Sequence, residues 1–347
     1  MQLLRPVARG RLRVDLSRMP PSHHTARGFR NPSPTGQLRG LTAMLKWAWQ
    51  RSRQYGVMGR SSTPPAPVVP HIRMPRTVPG ECAITWVGHS TFLIQCEGLN
   101  ILTDPVWSQR CAPVQWAGPR RFVPPGVRFA DLPSIDIVLQ SHDHYDHFDD
   151  WSVRAIARAH PKTRWFTSLG VGRRLNSRGV RHITELDWWQ CAGTDDVRVT
   201  CVPAQHFSGR TPFDRNSTLW SGFVLEVHDR AIYFVGDTGY HDGFGEIGER
   251  CGPFDMVLMP IGAYDPRWIM EPVHLSPEEA VRAFGDLTTP HPASAPAMVA
   301  MHWGTFALTD EPVDEPPVRA RAAWRMAQFP DNRLWVMAPG ETRLAVP

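Results

Sequence analysis

Six consecutive residues, His142-Asp143-His144-Tyr145-Asp146-His147, hold three imidazoles and two carboxylates. Burying that many polar groups is costly unless something compensates them, and a bound dication does so. The cluster follows the apolar run Ile135–Gln140, so it sits where a core strand ends. A histidine-rich surface tag would not emerge from a core strand and run into a capped helix. Three more candidates share that placement. His206 follows residues 197–202, Asp237 follows Ala231–Gly236, and His302 follows Pro296–Met301. Strand C-termini in layered α/β sheets converge on one edge, where ligand sites form. The set His142, His144, Asp146, His147, His206, Asp237 and His302 suits zinc, and also iron or manganese. Seven donors exceed one tetrahedral centre, so two metals with one bridging carboxylate is the economical count.

The elements that must position these groups are legible as short apolar runs separated by turns. Strands are expected over residues 82–87, 91–96, 135–140, 197–202, 219–227, 231–236, 255–260 and 297–301. Helices are expected over 149–159, 276–286 and 317–328. The second has a marked start: Ser276 can cap, Pro277 suits the first helical position and Glu279 closes a capping box. Strands alternating with helices imply a layered α/β fold. Upstream, residues 1–36 are basic, rich in Pro and Gly, and read as poorly ordered. Residues 37–55 space Leu38, Leu41, Leu45, Ala48 and Trp49 as one face of a short basic amphipathic helix. Six prolines in residues 61–80 read as an extended connector. The expected organisation is therefore an N-terminal extension over 1–75 and a catalytic domain over 76–347.

The 347 residues carry a formal charge of +5, with 42% hydrophobic and 20% charged residues, which excludes a wholly disordered chain. The charge is split: residues 1–60 carry +11 and residues 61–347 carry −6. A mildly acidic body lacks the basic footprint of a nucleic-acid binder, so no nucleic-acid partner is expected. No run approaches the roughly 20 apolar residues of a membrane-spanning helix. Six cysteines without a Cys-x-x-Cys pair point to free thiols in a reduced compartment, hence the cytoplasm.

The pattern His-x-His-x-Asp-His, with a distant His, Asp and His, resembles the metallo-β-lactamase superfamily. The similarity is greatest to the branch of phospholipases D that hydrolyse N-acylphosphatidylethanolamine, and to bacterial relatives of that branch. The stretches that carry it include GFRNPSP (28–34), TWVGHSTFLI (85–94), LTDPVWSQRCAPVQWAGPRRF (102–122), ITELDWWQ (183–190), PAQHFSGRTPFDRNSTLWSGF (203–223), FVGDTGY (234–240), PIGAYDPRWIMEPVHLSPEEAV (260–281) and MHWGTFAL (301–308). The resemblance implies a four-layer αβ/βα sandwich with two zinc ions per chain. By motif, it gives His142, His144 and His206 to one zinc, Asp146, His147 and His302 to the other, and Asp237 to both. The implied activity is hydrolysis of N-acylphosphatidylethanolamine-like lipids to N-acylethanolamine and phosphatidic acid. Two zincs would acidify a shared water toward a pKa of about 7, and the hydroxide would attack phosphorus in line.

Other residues enter through the same likeness. Asp237, Asp146 and His274 are the expected catalytic groups, with His274 also expected to touch substrate. Gln115 and Arg210 are candidate substrate contacts, and Asp104 and His89 are expected to orient ligand imidazoles. The superfamily motif itself is silent on substrate, so a metallohydrolase of a soluble phosphodiester or a lactone is the competing reading. A metal-binding scaffold without activity is a third, which an intact two-metal donor set disfavours. The partner expectations are a phospholipid or other phosphodiester substrate, peripheral contact at the inner face of the membrane through the basic helix, and a homodimer.

Overall fold

The computed structural model of the protein describes residues 21–33, 41–54, 63–194 and 196–345. A small hairpin of β1 (His24–Thr25) and β2 (Gly28–Phe29) precedes α1 (Leu41–Gln54). Six strands then build most of the first sheet: β3 (Cys82–Gly88), β4 (Thr91–Cys96), β5 (Leu99–Thr103), β6 (Ile137–Gln140), β7 (Arg164–Ser168) and β8 (His182–Leu186). The second sheet takes β9 (Cys191–Gly193), β10 (Val197–Val202), β11 (Gly222–Val227), β12 (Arg230–Phe234), β13 (Met256–Pro260), β14 (Ala297–Met301) and β15 (Leu334–Trp335). The last strand, β16 (Thr342–Ala345), returns to pair with β3.

The two sheets share one plan. The first runs β16-β3-β4-β5-β6-β7-β8, antiparallel as far as β5 and parallel beyond it. The second runs β9-β10-β11-β12-β13-β14-β15, antiparallel as far as β12 and parallel beyond it. Two reversals restore direction, so β3, β5, β6 and β7 point one way, as do β10, β12, β13 and β14. Each sheet therefore presents several strand C-termini along a single edge.

Alternation along the strands explains the layering. Ile84, Trp86, Phe92, Ile94, Ile137, Leu139 and Phe166 join the core between the sheets. Their neighbours Val87, Leu93, Val138 and Trp165 point the other way, into a second core. That second core takes Val153 and Ile156 of α2 (Asp150–Ala159) and Leu175 of α3 (Gly172–Asn176). On the far side, α4 (Gly243–Cys251), α6 (Pro277–Thr288) and α7 (Glu315–Met326) cover the second sheet, while α5 (Arg267–Met270) is a single turn. The order is helix, sheet, sheet, helix: an αβ/βα sandwich. The Ser276–Glu279 capping box forms at the start of α6 as the sequence indicates.

The N-terminal segment departs from its sequence reading. Residues 21–33 pack on the body instead of lying loose. His23 and His24 place their Nε2 atoms 2.6 and 2.8 Å from the two oxygens of Asp187, and Phe29 N–H donates to Asn216 O at 2.9 Å. Helix α1 docks too, as described below. Residues 1–20 and 34–40, including Leu38, lie outside the described residues, as do the side chains of Leu41, Leu45 and Ala48.

Candidate metal centre

All the groups in the cluster except His274 leave a strand at its C-terminal end. His89 follows β3, Asp104 follows β5, His142–His147 follow β6, His206 follows β10, Asp237 follows β12 and His302 follows β14. His274 comes from the loop between β13 and α6. Three of these turns use the left-handed region: His89 at φ 56°, Asp104 at 27° and His302 at 61°. Non-glycine residues held there cost about 1–3 kcal/mol each, a strain that clusters at functional sites. Gly236 sits at φ +67° just before Asp237. A Cβ there would lie 2.7 Å from Ser221 O, so only glycine fits the turn.

The seven sequence-predicted donors come together as two groups joined by one carboxylate. His142 Nε2 and His206 Nε2 lie 2.9 and 3.2 Å from His144 Nδ1. In the other group, His147 Nε2 and His302 Nε2 each lie 3.5 Å from Asp146 Oδ2. Asp237 Oδ2 stands between them, 3.1 Å from both His147 and His302 and 3.6 Å from His206. His147 Nε2, His302 Nε2 and Asp237 Oδ1 are buried with no hydrogen-bond partner among the described residues. Orphaned buried lone pairs of this kind carry a penalty that a cation removes. The donors thus fit divalent metal chemistry.

Behind them, Asp104 acts as a hub. Its Oδ1 accepts from Ser141 N–H at 2.7 Å and Gln140 Nε2 at 3.0 Å. Its Oδ2 accepts from His147 Nδ1–H at 2.6 Å and from the Ser141 hydroxyl. Ser141 Oγ, having donated its proton, accepts from His142 Nδ1–H at 2.9 Å. One carboxylate therefore sets the tautomer of a ring in each donor group, leaving Nε2 of both free to bind. His206 is set separately, donating Nδ1–H to Val273 O at 2.9 Å. His89 donates from Nε2 to Asp146 Oδ2 at 3.0 Å, and its ring centroid lies 4.1 Å from that of His302.

The electrostatics split the rings. Burial pushes His144 down to about 4 and His206 and His89 down to about 3, so these are neutral bases. Burial also disfavours charge on His302, but Asp237 and Asp146 outweigh it and raise that ring to about 9. His147 is likewise held well above its ordinary value, against its burial, by Asp237, Asp146 and Asp104. Asp237 and Asp146 are held well below the carboxylate range, burial notwithstanding, by the imidazoles around them. Without metal, the cluster stores protons where cations would sit.

His274 reaches the site. Its ring is 5.0 Å from His206 and 5.4 Å from His302, it lines the same cavity, and burial keeps it neutral. The other two substrate candidates do not. Gln115 is exposed and clamps a turn, accepting from Arg110 N–H and donating to Arg110 O, both at 3.0 Å. Arg210 is spent on structure: it donates to Asp143 O and Phe148 O at 2.9 and 2.7 Å, and stacks 3.7 Å over Tyr145. Its side chain is only 3% exposed, so it braces the donor loop instead of facing substrate. Asp143, the second acid of the opening cluster, also faces away, bound to Arg174 and Gly209 N–H. Sequence reasoning missed Asn31, whose Oδ1 accepts from His206 N–H at 2.9 Å across 175 residues. It also missed the relay through Ser141. Only the capacity of Ser and Asn to accept from nearby donors marked either residue, and that signal is too common to single them out.

Fold and donor set together define a metallohydrolase built on an αβ/βα sandwich. The chain belongs to the metallo-β-lactamase superfamily, with residues 99–303 matching the beta-lactamase superfamily domain. It is a metal-dependent hydrolase of that family. An uncharacterised protein of Mycobacterium tuberculosis is 44% identical over 272 residues, 77% of this chain and 71% of that protein. N-acyl-phosphatidylethanolamine-hydrolyzing phospholipase D 1 of Caenorhabditis elegans is 39% identical over 234 residues, 65% of this chain and 64% of that enzyme. Among solved structures, isothiocyanate hydrolase from Delia radicum gut bacteria shares the fold with a TM-score of 0.59 at 21% identity, covering 75% of this chain and 98% of that one.

Proposed function

We propose that this chain is a dinuclear zinc phosphodiesterase of phospholipase D type, acting on N-acylphosphatidylethanolamine-like lipids to give N-acylethanolamine and phosphatidic acid. The observation that carries the reading is the pair of donor groups sharing Asp237 beside a cavity whose remaining lining is mostly apolar. His142, His144 and His206 would hold one zinc, Asp146, His147 and His302 the other, with Asp237 touching both. The relative from Caenorhabditis elegans, by its name, hydrolyses this lipid class. When bound, two such metals supply Lewis acidity toward a phosphoryl group and lower the pKa of a bound water toward about 7.

The chain's own residues do the rest. Asp104, through Ser141 and directly, takes the Nδ1–H of His142 and His147 and so aims Nε2 of both inward. His89 holds Asp146 in place. Neutral His274 lines the cavity beside Asp237 and supplies a hydrogen bond to the leaving oxygen. Phe207, Met270, Val273 and Leu308 exclude water around the reacting group. No helix among the described residues is long and apolar enough to cross a membrane. Peripheral contact fits Trp116 and Phe213, 82% and 97% exposed on loops that follow β5 and β10, at the edge that carries the site.

The test is incubation of zinc-loaded protein with N-acylphosphatidylethanolamine, with and without chelator, alongside Asp237→Asn. Chelator-sensitive release of N-acylethanolamine and phosphatidic acid, lost in the variant, is the expected result. No such release, or a much faster rate on soluble phosphodiesters or lactones, refutes the reading.

A further inference from the structure

The cavity over the donors has a volume of about 180 Å³, and one of its walls does not come from the sandwich. Trp47 of α1 stands there with Phe207, Ala263, Met270, Val273 and Leu308. The helix is pinned to the loop that begins at His302. Trp47 Nε1–H donates to Asp310 Oδ2 at 2.7 Å. Arg51 donates to Leu308 O at 2.9 Å and Ala307 O at 3.2 Å, and lies 3.4 Å from Asp310 Oδ1. The polar edge of the indole is thus committed to Asp310, and its apolar ring is what remains to line the cavity. A helix from the N-terminal extension supplies a wall beside the reacting centre.

From this we infer that Trp47 is a specificity-determining residue: it selects esters whose phosphoryl group carries methylenes on the adjoining arm over compact ones. The inference rests on the proposed function in one respect, that a phosphoryl group sits at the donors, and it adds which part of the substrate is read. A dry cavity of about 150 Å³ accepts benzene, and here the phosphoryl group at the donors takes part of a similar volume, so about three or four carbons fit beside it. In the proposed lipid these are the methylenes of the ethanolamine or glycerol arm, and the acyl chains lie outside it. Inside, each methylene removed from water is worth about fourfold in affinity.

Monoalkyl phosphates separate these terms without turnover. Methyl, propyl and hexyl phosphate are titrated calorimetrically into the zinc-loaded full chain, its Trp47→Ala variant and its Trp47→Phe variant. In the wild type, affinity rises about fourfold per methylene to about three or four carbons and then levels. Trp47→Ala lowers the increment to about twofold or less while the methyl phosphate Kd stays the same. Trp47→Phe, which keeps one aromatic ring and loses the pyrrole ring with its N–H, retains most of the increment. An unchanged increment in Trp47→Ala, a flat series in the wild type, or an equal loss for methyl phosphate overturns the inference. Lipid turnover is measured in parallel. A preserved chain-length series without lipid hydrolysis sinks the proposed substrate and leaves Trp47 its role.

Discussion

Asp104→Asn should damage both donor groups at once, although Asp104 lies behind the rings. Its Oδ2 accepts from His147 Nδ1–H and from the Ser141 hydroxyl, which in turn accepts from His142 Nδ1–H. Asparagine can keep its oxygen toward Ser141 N–H and Gln140, which leaves an NH2 where Oδ2 stood. That NH2 faces His147 Nδ1, which must then become an acceptor and move its proton to Nε2. The Ser141 hydroxyl must accept from the same NH2, reverse, and donate to His142 Nδ1. Both rings end with a proton on the nitrogen aimed at the metal. Losing one such orienting partner costs about 10–100-fold in metal affinity, so each site weakens by about that factor and the pair together by about 2.7–5.5 kcal/mol. The assay is zinc titration of apo protein against a chromogenic chelator, with ring tautomers read by long-range ¹H–¹⁵N correlation. Ser141→Ala is the partial control: it cuts only the His142 arm, so one site weakens and the other holds. Zinc binding within about threefold of wild type at both sites of Asp104→Asn, or unchanged tautomers, would refute the relay.

Three further outcomes follow from the same geometry. Metal affinity should rise with pH: below about 9 the raised His302 ring holds a proton that a metal must displace, and His147, also raised, holds another, so Kd falls by about tenfold per pH unit for each proton released; a Kd flat from pH 6.5 to 8.5 contradicts this. Gly236→Ala places a Cβ 2.7 Å from Ser221 O at φ +67°, and should cost at least about 1–2 kcal/mol while displacing Asp237, seen as a lowered Tm and lost zinc. Arg210→Lys should lower Tm by several degrees while leaving KM nearly unchanged, because three of its contacts are to Asp143, Phe148 and Asp150. A raised KM at wild-type Tm would return Arg210 to the substrate.

What the sequence made legible was whatever repeats locally. Donors placed just past apolar runs are readable because a strand's end is marked by the loss of its apolar residues. The three-dimensional partners of those donors are not so marked. Asn31 reaches His206 across 175 residues, and Trp47 reaches Asp310 across 263. The strand Leu99–Thr103 went unread because it carries Asn100, a buried amide satisfied by Gln95, Pro75 O and Ser134 O. Arg164–Ser168 ends in two buried hydroxyls, Thr167 and Ser168, that donate to carbonyls of the β6 end. His182–Leu186 is a half-exposed edge strand with no alternation to detect. Gln115 and Arg210 were misplaced for a related reason: a motif gives a residue's position along the chain but not the direction of its side chain. The segment 21–33 looked structureless by composition, yet its grip on the body comes from the paired histidines on Asp187.

The pairing of β16 with β3 sets a timetable for synthesis. Thr342 lies opposite Thr85, 257 residues later in the chain. At about 5–20 residues per second, roughly 13–50 s separate their emergence from the ribosome. Until β16 arrives, the strand that leads into His89 has one flank of open N–H and C=O groups, a template on which a neighbouring nascent chain can add a strand. Slower elongation lengthens that interval, so yield of folded protein should depend on translation speed and on chaperones that cover the β3 flank until β16 emerges.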